Sequence, residues 1–520
     1  MAGCPARAPR IPSDDMSDSL IEARRQKLQQ MRELGVDPYG TRLDQILPNR
    51  LLREKVERLN IQAGQITEDR NRAAGRIVLL RDIGKLIFIT LRDGTGDFQL
   101  GLSKSILPET DWKVAKLLDL SDIIAADGKL GRTKTNEPTL WAERLYLQCK
   151  ALRPPPEKWH GLTDPDIRYR QRYVDLFTNP EVMQVFRQRV LIVDAVREFL
   201  VERGFLEVET PTLQPIYGGA AARPFTTHHN TLDIDLFLRI SPELYLKRLL
   251  VGGMQRVFEF SRNFRNEGMD TRHNPEFTML EAYQAHGDYT DMMDLAEGIV
   301  TRCIDMLGGG MVRKFGEKEL DFTPPWPRRK YADLLRQYAN VDIWDSAAVR
   351  AKAAAIGIEK KHAADAVLVG DLYDHLVEPH LLDPTFVMDW PADLCPLTRR
   401  DLTDPRIALR FELIVAGMEL ANAYTELNDP AIQEASLRRQ LAGQEDETMA
   451  VMDEDFVQAL QYGMPPAGGI GMGIDRLVMV LTDNPSIRET ILFPLQRPKA
   501  QAPADQETGR GPSAHDASPG

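Results

Sequence analysis

Arginine, glutamate, histidine and phenylalanine are concentrated in one short stretch, "FRNEGMDTRHNPEFT" at 264 to 278, which holds Arg265, Glu267, His273 and Phe277. A second arginine, Arg476, follows a glycine run in "GIGMGIDR". Two arginines can neutralise phosphate oxygens bidentately, a phenylalanine can stack on a purine, and glycines let backbone approach a flat ligand. A nucleotide is the ligand that uses all three. Neither GxxxxGK[ST] nor a GxGxxG opening a helix after a strand is present, so any ATP site is built another way. Taken alone, the same stretch also reads as a solvated charged turn between two strands.

Carboxylates sharpen this. Glu412 in "RFEL" and Glu419 in "GMEL" offer the hard oxygens that magnesium uses when it keeps waters and phosphate oxygens as its other ligands. Glu243 in "SPELY", Glu281 in "LEAYQ" and Glu426 in "YTELND" read as glutamates unpaired by any nearby lysine, which suits a substrate ammonium. Acidic residues on a wet face are the plain alternative for each.

These residues need elements to hold them. The chain has 520 residues, 43% hydrophobic and 27% charged, enough for two to four domains and a large core. Net charge is -12, so nucleic acid can be attracted only by local basic surface. Cys4, Cys149, Cys303 and Cys395 are far apart and show no zinc spacing, and no apolar run reaches membrane-spanning length. A reducing cytoplasm without a membrane or structural metal is expected.

Domain boundaries follow composition. Residues 1–17 and 499–520 are Pro-, Ala- and charge-rich without apolar period and are expected to be disordered tails. Residues 18–65 form a helical extension, its first helix ending at Gly35. Residues 66–152 read as five short strands with a helix between the third and fourth, the layout of an OB-fold β-barrel whose open face binds single-stranded nucleic acid. Phe88 and Phe98 are its candidate stacking platforms. An Arg-rich linker spans 153–175, and 176–498 is a second, α+β domain: a long amphipathic helix after Pro180, then the strand "FLEVETP", then strands near 234–240, 255–263, 276–284, 410–417 and 421–427. Within it, 300–400 reads as an Ala-rich helical insertion covering the site.

"GFLEVETPTL", "FRNEGMDTRHNPEFT" and "GIGMGIDR" stand in the order of motifs 1, 2 and 3 of class II aminoacyl-tRNA synthetases. "GGAAARPF", "THHN", "PELYLKRL", "HNPEFTMLEAY" and "NAYTELNDP" resemble the lysyl-tRNA synthetase family in its bacterial form, over residues 20 to 498. The resemblance implies an antiparallel catalytic sheet flanked by helices, a homodimer, and lysine activation with ATP before transfer to tRNA(Lys). It implies Arg265 on the α-phosphate and Arg476 across the adenine as the catalytic pair. Glu267 would meet the adenine amino group, His273 the γ-phosphate, and Phe277 the other adenine face. Glu412 and Glu419 would hold Mg2+. Glu243 would take the lysine α-amino group and Arg265 its carboxylate, with Glu281, Tyr283, Asn422, Tyr424 and Glu426 around its side chain. Phe88, Gln99 and Glu137 match anticodon-reading positions. Met418, Asp97, "TNEP" and "PAGGIG" depart from the family pattern, and Ala421 is shared with the related enzyme that modifies elongation factor P. That relative lacks the barrel. A non-catalytic RNA-binding derivative is a further rival; it would have lost Arg265, Glu267 or Arg476.

Overall fold

The computed structural model describes residues 15–155, 162–220, 222–358, 360, 364–395, 397–442 and 452–498. Cys4, both expected tails beyond these limits and linker residues 156–161 lie outside them. The chain divides into two compact units, 1–180 and 181–520.

In the first unit, helices Asp15–Glu33 and Asn49–Arg58 precede strands β1 (Ile66–Asp82), β2 (Leu86–Asp93), β3 (Gly96–Ser103), β4 (Ile123–Arg132) and β5 (Pro138–Cys149). They close into a barrel in the order β1-β2-β3-β5-β4, with helix Glu109–Leu117 between β3 and β4. Alternation sorts the faces: Ile87, Ile89 and Leu91 of β2 are buried inside while Phe88, Thr90 and Arg92 point outward. Phe98, a candidate platform by sequence, is instead core, 1% exposed. It sits on the opposite parity of its strand from the outer face.

In the second unit, helix Pro180–Glu202 runs into β6 (Leu206–Glu207). A small sheet of β7 (Leu213–Gln214), β8 (Thr226–His229) and β9 (Ile234–Leu238) follows, then β10 (Arg256–Phe264) and β11 (Glu276–Ala285). After helix Tyr289–Leu307 come a hairpin of β12 (Val312–Phe315) and β13 (Lys318–Asp321), β14 (Arg328–Lys330), three helices between 331 and 376, and β15 (Thr385–Pro391). β16 (Ile407–Ile414), β17 (Glu419–Thr425) and β18 (Ala467–Gly473) complete the set. The expected insertion is therefore only partly helical. Its β14 and β15 extend the main sheet, whose order is β14-β15-β16-β17-β18-β11-β10-β6.

The sheet is antiparallel inside, with parallel pairs at its two edges. Period two splits its faces. Phe258, Leu280, Ala282, Phe411, Leu413, Ala423, Ile470 and Met472 pack against Val196, Phe199, Met293, Ile299 and Leu477 of the covering helices. The alternate residues face the other way, and there they form the site.

Candidate active site

Register alone aligns two rows of side chains across the sheet. One row runs Glu259, Glu281, Gly471, Asn422, Glu412, and the next runs Val257, Tyr283, Gly469, Tyr424, Arg410. Strand pairing thus brings residues more than a hundred positions apart in the chain into one surface.

The glycines of β18 are required by what stands over them. A Cβ at Gly469 would come within 2.0 Å of Glu426 Oε1 and 2.5 Å of the Tyr283 ring, and one at Gly471 within 3.0 Å of Met279. The wall is bare backbone because its neighbours occupy the space.

At one end of this surface lies a cavity of about 260 Å³ lined by Arg265, Glu267, His273, Phe277, Glu419 and Arg476 among others. β10 and β11 pair without a break from Arg256/Gln284 to Phe264/Glu276, so the loop between them springs from a rigid ribbon. The Arg265 amide donates to Pro275 O at 2.8 Å, closing the loop's base. The Arg265 guanidinium lies 5.1 Å from the Phe277 ring centroid, and its buried Nε has no hydrogen-bond partner. Arg476 donates to Glu419 O at 2.6 Å and to His273 Nε2 at 3.1 Å, and His273 Nδ1 stands 2.8 Å from Asp270 Oδ2. Behind it, Asp475 accepts from the Thr278 amide at 2.7 Å and from Arg189 at 2.5 Å. Arg272, not singled out by sequence, also lines the cavity and donates to Gly417 O at 2.9 Å.

At the other end, Glu243, Glu281 and Glu426 are all buried. Ser241 Oγ donates to Glu281 Oε1 at 2.9 Å and Tyr283 OH to Oε2 at 3.1 Å. The expectation that no lysine pairs these glutamates is wrong for Glu243 and Glu426. Lys247, fully buried, places Nζ 2.7 Å from Glu243 Oε1 and 2.5 Å from Glu426 Oε2. Both Glu243 and Lys247 lie on helix Glu243–Val251, so the four-residue spacing was visible in "ELYLK", but the contact with Glu426 was not. Burial works against the charge on Lys247, and Glu243 and Glu426 override it to hold the ammonium protonated. Glu426 Oε1 has no hydrogen-bond partner.

Glu419 lines the cavity, and Glu412 stands on β16 opposite Asn422 of β17. Glu412 is ion-paired with Arg410, whose guanidinium lies 4.4 Å from the Trp390 ring centroid and 5.4 Å from that of Tyr424. Asn422 donates to Glu419 Oε1 at 2.6 Å. Burial, then Glu419, Glu378 and Asp374, push the Glu412 carboxyl up against the pull of Arg410.

On the barrel, Phe88, Gln99 and Glu137 line one pocket. Gly101 pairs with Phe88 on one side and Trp141 on the other, and a Cβ on it would meet the Trp141 ring at 2.7 Å. The Trp141 ring therefore lies over Gly101 and meets the Phe88 ring edge-on at 6.0 Å. Gln99 is buried, bonded by Arg81 and to Thr139, while Glu137 pairs with Arg53 at 3.2 Å. Asp97, one of the departures, accepts two bonds from Arg92.

A family model described as tRNA synthetases class II (D, K and N) matches residues 164–497, and one described as OB-fold nucleic acid binding domain matches 72–147. The chain is 48% identical over 496 residues to a lysine–tRNA ligase of Moorella thermoacetica, covering 94% of this chain and 99% of that protein. Lysine–tRNA ligases of Pelotomaculum thermopropionicum and Dehalococcoides mccartyi are 46% and 47% identical, over 94% and 92% of this chain and 96% and 98% of theirs. The chain belongs to the lysine–tRNA ligase family of class II tRNA synthetases.

For this class II synthetase the sheet places motifs 2 and 3 on adjacent strands, since β10, β11 and β18 are neighbours. Glu281 carries a testable consequence. Burial, then Glu243, push its carboxyl up to about 8 from 4.5. Because only the ionised form pairs with an ammonium, a substrate ammonium received by Glu281 would have to displace a proton below that value. The KM for lysine should fall on the order of tenfold as pH rises from about 6.5 to about 8.5. A flat lysine KM across that range, measured by exchange at saturating ATP, would remove Glu281 from ammonium recognition. The folded empty protein also holds a proton that the unfolded chain has released, so this group costs stability as pH rises from about 4.5 towards 8.

Proposed function

We propose that the chain activates L-lysine with ATP and transfers it to the 3′-terminal adenosine of tRNA(Lys). The observation that carries this reading is the unpartnered Glu426 Oε1, buried in a three-glutamate pocket on the same sheet face as the arginine-lined cavity. A buried carboxylate oxygen with no partner is costly unless a ligand ammonium takes it.

In this reading ATP lies in the cavity, with Arg265 on the α-phosphate, His273 by the γ-phosphate, Glu267 on the adenine amino group, and Phe277 and Arg476 on the two faces of the base. Glu243 takes the lysine α-amino group, Arg265 its carboxylate, and Glu426 the side-chain ammonium beside Glu281, Tyr283, Asn422 and Tyr424. The lysine carboxylate attacks the α-phosphorus in line, the arginines stabilise the charge that develops, and pyrophosphate leaves. No protein nucleophile is needed. The tRNA hydroxyl then attacks the adenylate carbonyl.

Glu412 and Glu419 fit Mg2+: their carboxylates supply hard oxygen donors, and Glu419, Glu378 and Asp374 together drive the Glu412 carboxyl up against its Arg410 partner, a concentration of negative charge that a divalent cation would relieve. When bound, the metal supplies charge neutralisation on the phosphates. Glu412 and Glu419 would hold it, and Asn422 keeps the Glu419 carboxylate oriented.

The barrel supports tRNA as acceptor. With Phe88 stacked on an anticodon base, Phe88→Ala should lower aminoacylation kcat/KM about tenfold, through KM for tRNA, since base stacking is worth ~1–3 kcal/mol. An unchanged KM for tRNA would take Phe88 off the contact surface. The reading includes a homodimer. Val190, Leu191 and Val201 expose apolar surface on the motif 1 helix, beside an apolar groove of about 830 Å³ lined by Phe186, Phe225, Leu492, Phe493 and Leu495. It also includes a cytoplasmic location, where the free thiols of Cys149, Cys303 and Cys395 stay reduced. Among the described residues no helix is long and apolar enough to cross a membrane.

The test is ATP–pyrophosphate exchange with each of the twenty amino acids, followed by transfer to tRNA or to elongation factor P. Exchange with lysine and transfer to tRNA is expected. Exchange with a different amino acid, or with none, refutes the reading.

A further inference from the structure

Lys247 has no assigned part in the reaction, yet it occupies the centre of the pocket. It rises from helix Glu243–Val251, is fully buried, and spans Glu243 Oε1 and Glu426 Oε2. Two explanations compete: its ammonium could stand in for the substrate's and leave when lysine enters, or it could be permanent. The geometry favours permanence. Lys247 meets Glu426 through Oε2 and Glu243 through Oε1, and Glu426 Oε1, lying against Gly469, has no hydrogen-bond partner, so the Lys247 contacts leave one Glu426 oxygen uncommitted.

We infer that Lys247 is a resident counter-ion: a fixed ammonium that cancels one of the pocket's three carboxylates, so that the charge left over matches a substrate bearing two ammonium groups. This inference rests on the lysine-activating reading above. With Arg265 taking the substrate carboxylate, Glu243, Glu281 and Glu426 would otherwise exceed the two positive charges of lysine by one. An uncompensated buried carboxylate takes up a proton instead, and a protonated carboxyl is a poor partner for an ammonium. The charged and titratable groups facing Lys247 are Glu243 on its own helix and Glu426 at the end of β17, with Glu281 and Tyr283 on β11 beside them.

Lysine-dependent exchange by the full-length protein, wild type and Lys247→Met, between about pH 6.5 and 9 tests this. The variant should show a lysine KM raised about tenfold or more at pH 7, with the gap closing as pH rises. One additional proton displaced per lysine bound steepens log KM by about one unit per pH unit. Adding Glu243→Gln to Lys247→Met restores the charge balance, and should return the slope to that of the wild type while KM stays high. A purely structural Lys247 predicts losses independent of pH in both variants, and that result overturns the inference. A lysine KM lower than wild type at pH 7 also overturns it, because it would mean that Lys247 competes with the substrate. Lys247→Gln replaces the methionine variant if melting shows that the latter is unfolded. A wild type without lysine-dependent exchange would bring down the ligase reading, and this inference with it.

Discussion

Glu426→Gln should lower kcat/KM for lysine in ATP–pyrophosphate exchange by on the order of 10²–10³ fold, while KM for ATP stays within about twofold. The substitution keeps the shape and removes the charge. Two ammonium groups then lose their anion, that of Lys247 at 2.5 Å and that of the ligand on the free Oε1. Breaking one partner out of a buried ion pair typically costs ~3–5 kcal/mol, which sets the range. ATP is spared because Glu426 is not among the residues that line the cavity. Steady-state exchange with each substrate varied in turn separates the two effects. A lysine KM and kcat close to wild type would show that the ammonium binds elsewhere. Lys247 keeps Glu243 as a partner at 2.7 Å, so the variant should fold, with a lowered melting temperature.

Arg265→Gln should cost on the order of 10³ fold in kcat/KM for exchange with little loss of stability. The two expectations share one cause. The Arg265 guanidinium has a buried Nε without a hydrogen-bond partner and lines the cavity, so it is a donor held ready for an anion. The buried Glu281 carboxyl, which the Arg265 charge draws downward, can take up a proton when that charge is removed, so the loss of stability stays small. The backbone contact that closes the loop, from the Arg265 amide to Pro275, survives the substitution. A pre-aimed donor at developing phosphate charge is worth several kcal/mol in the transition state. Exchange kinetics together with thermal melting decide the matter: a variant that is active near the wild-type level, or one that is inactive because it has unfolded, contradicts this account.

What could be read in advance was whatever lies close in sequence or repeats with a period. The motif 2 stretch, the barrel strands and helix Glu109–Leu117, and the stop at Gly35 were legible because spacing and turn chemistry are local properties. Glu412, Asn422 and Tyr424, named from their motifs and not from alternation, share one face of paired strands. Partners across the sheet were not legible. Arg189 and Asp475 are 286 residues apart, and nothing in either segment names the other. Arg410 carries no signal of burial in "RFEL", yet it is enclosed by Trp390 and Tyr424, which arrive on different strands. Phe88 and Phe98 were equivalent as residue types, and only the barrel's closure made one outward and the other core. The insertion misled for a related reason: its alanine content marked helices correctly but hid β15, a strand defined by its neighbour β16.

β18 turns backbone, not side chains, to the site face, with Gly469 and Gly471 pressed against Glu426, Tyr283 and Met279. That limits how the protein can be re-engineered. A wall without side chains offers a library nothing to vary, and even alanine at Gly469 drives a methyl group into the carboxylate that would recognise the substrate. Altered amino-acid selectivity is reachable only from the facing side, where Glu243, Lys247, Tyr283 and Glu426 stand. These four would have to change in charge-matched combinations, so routes through single substitutions should be few.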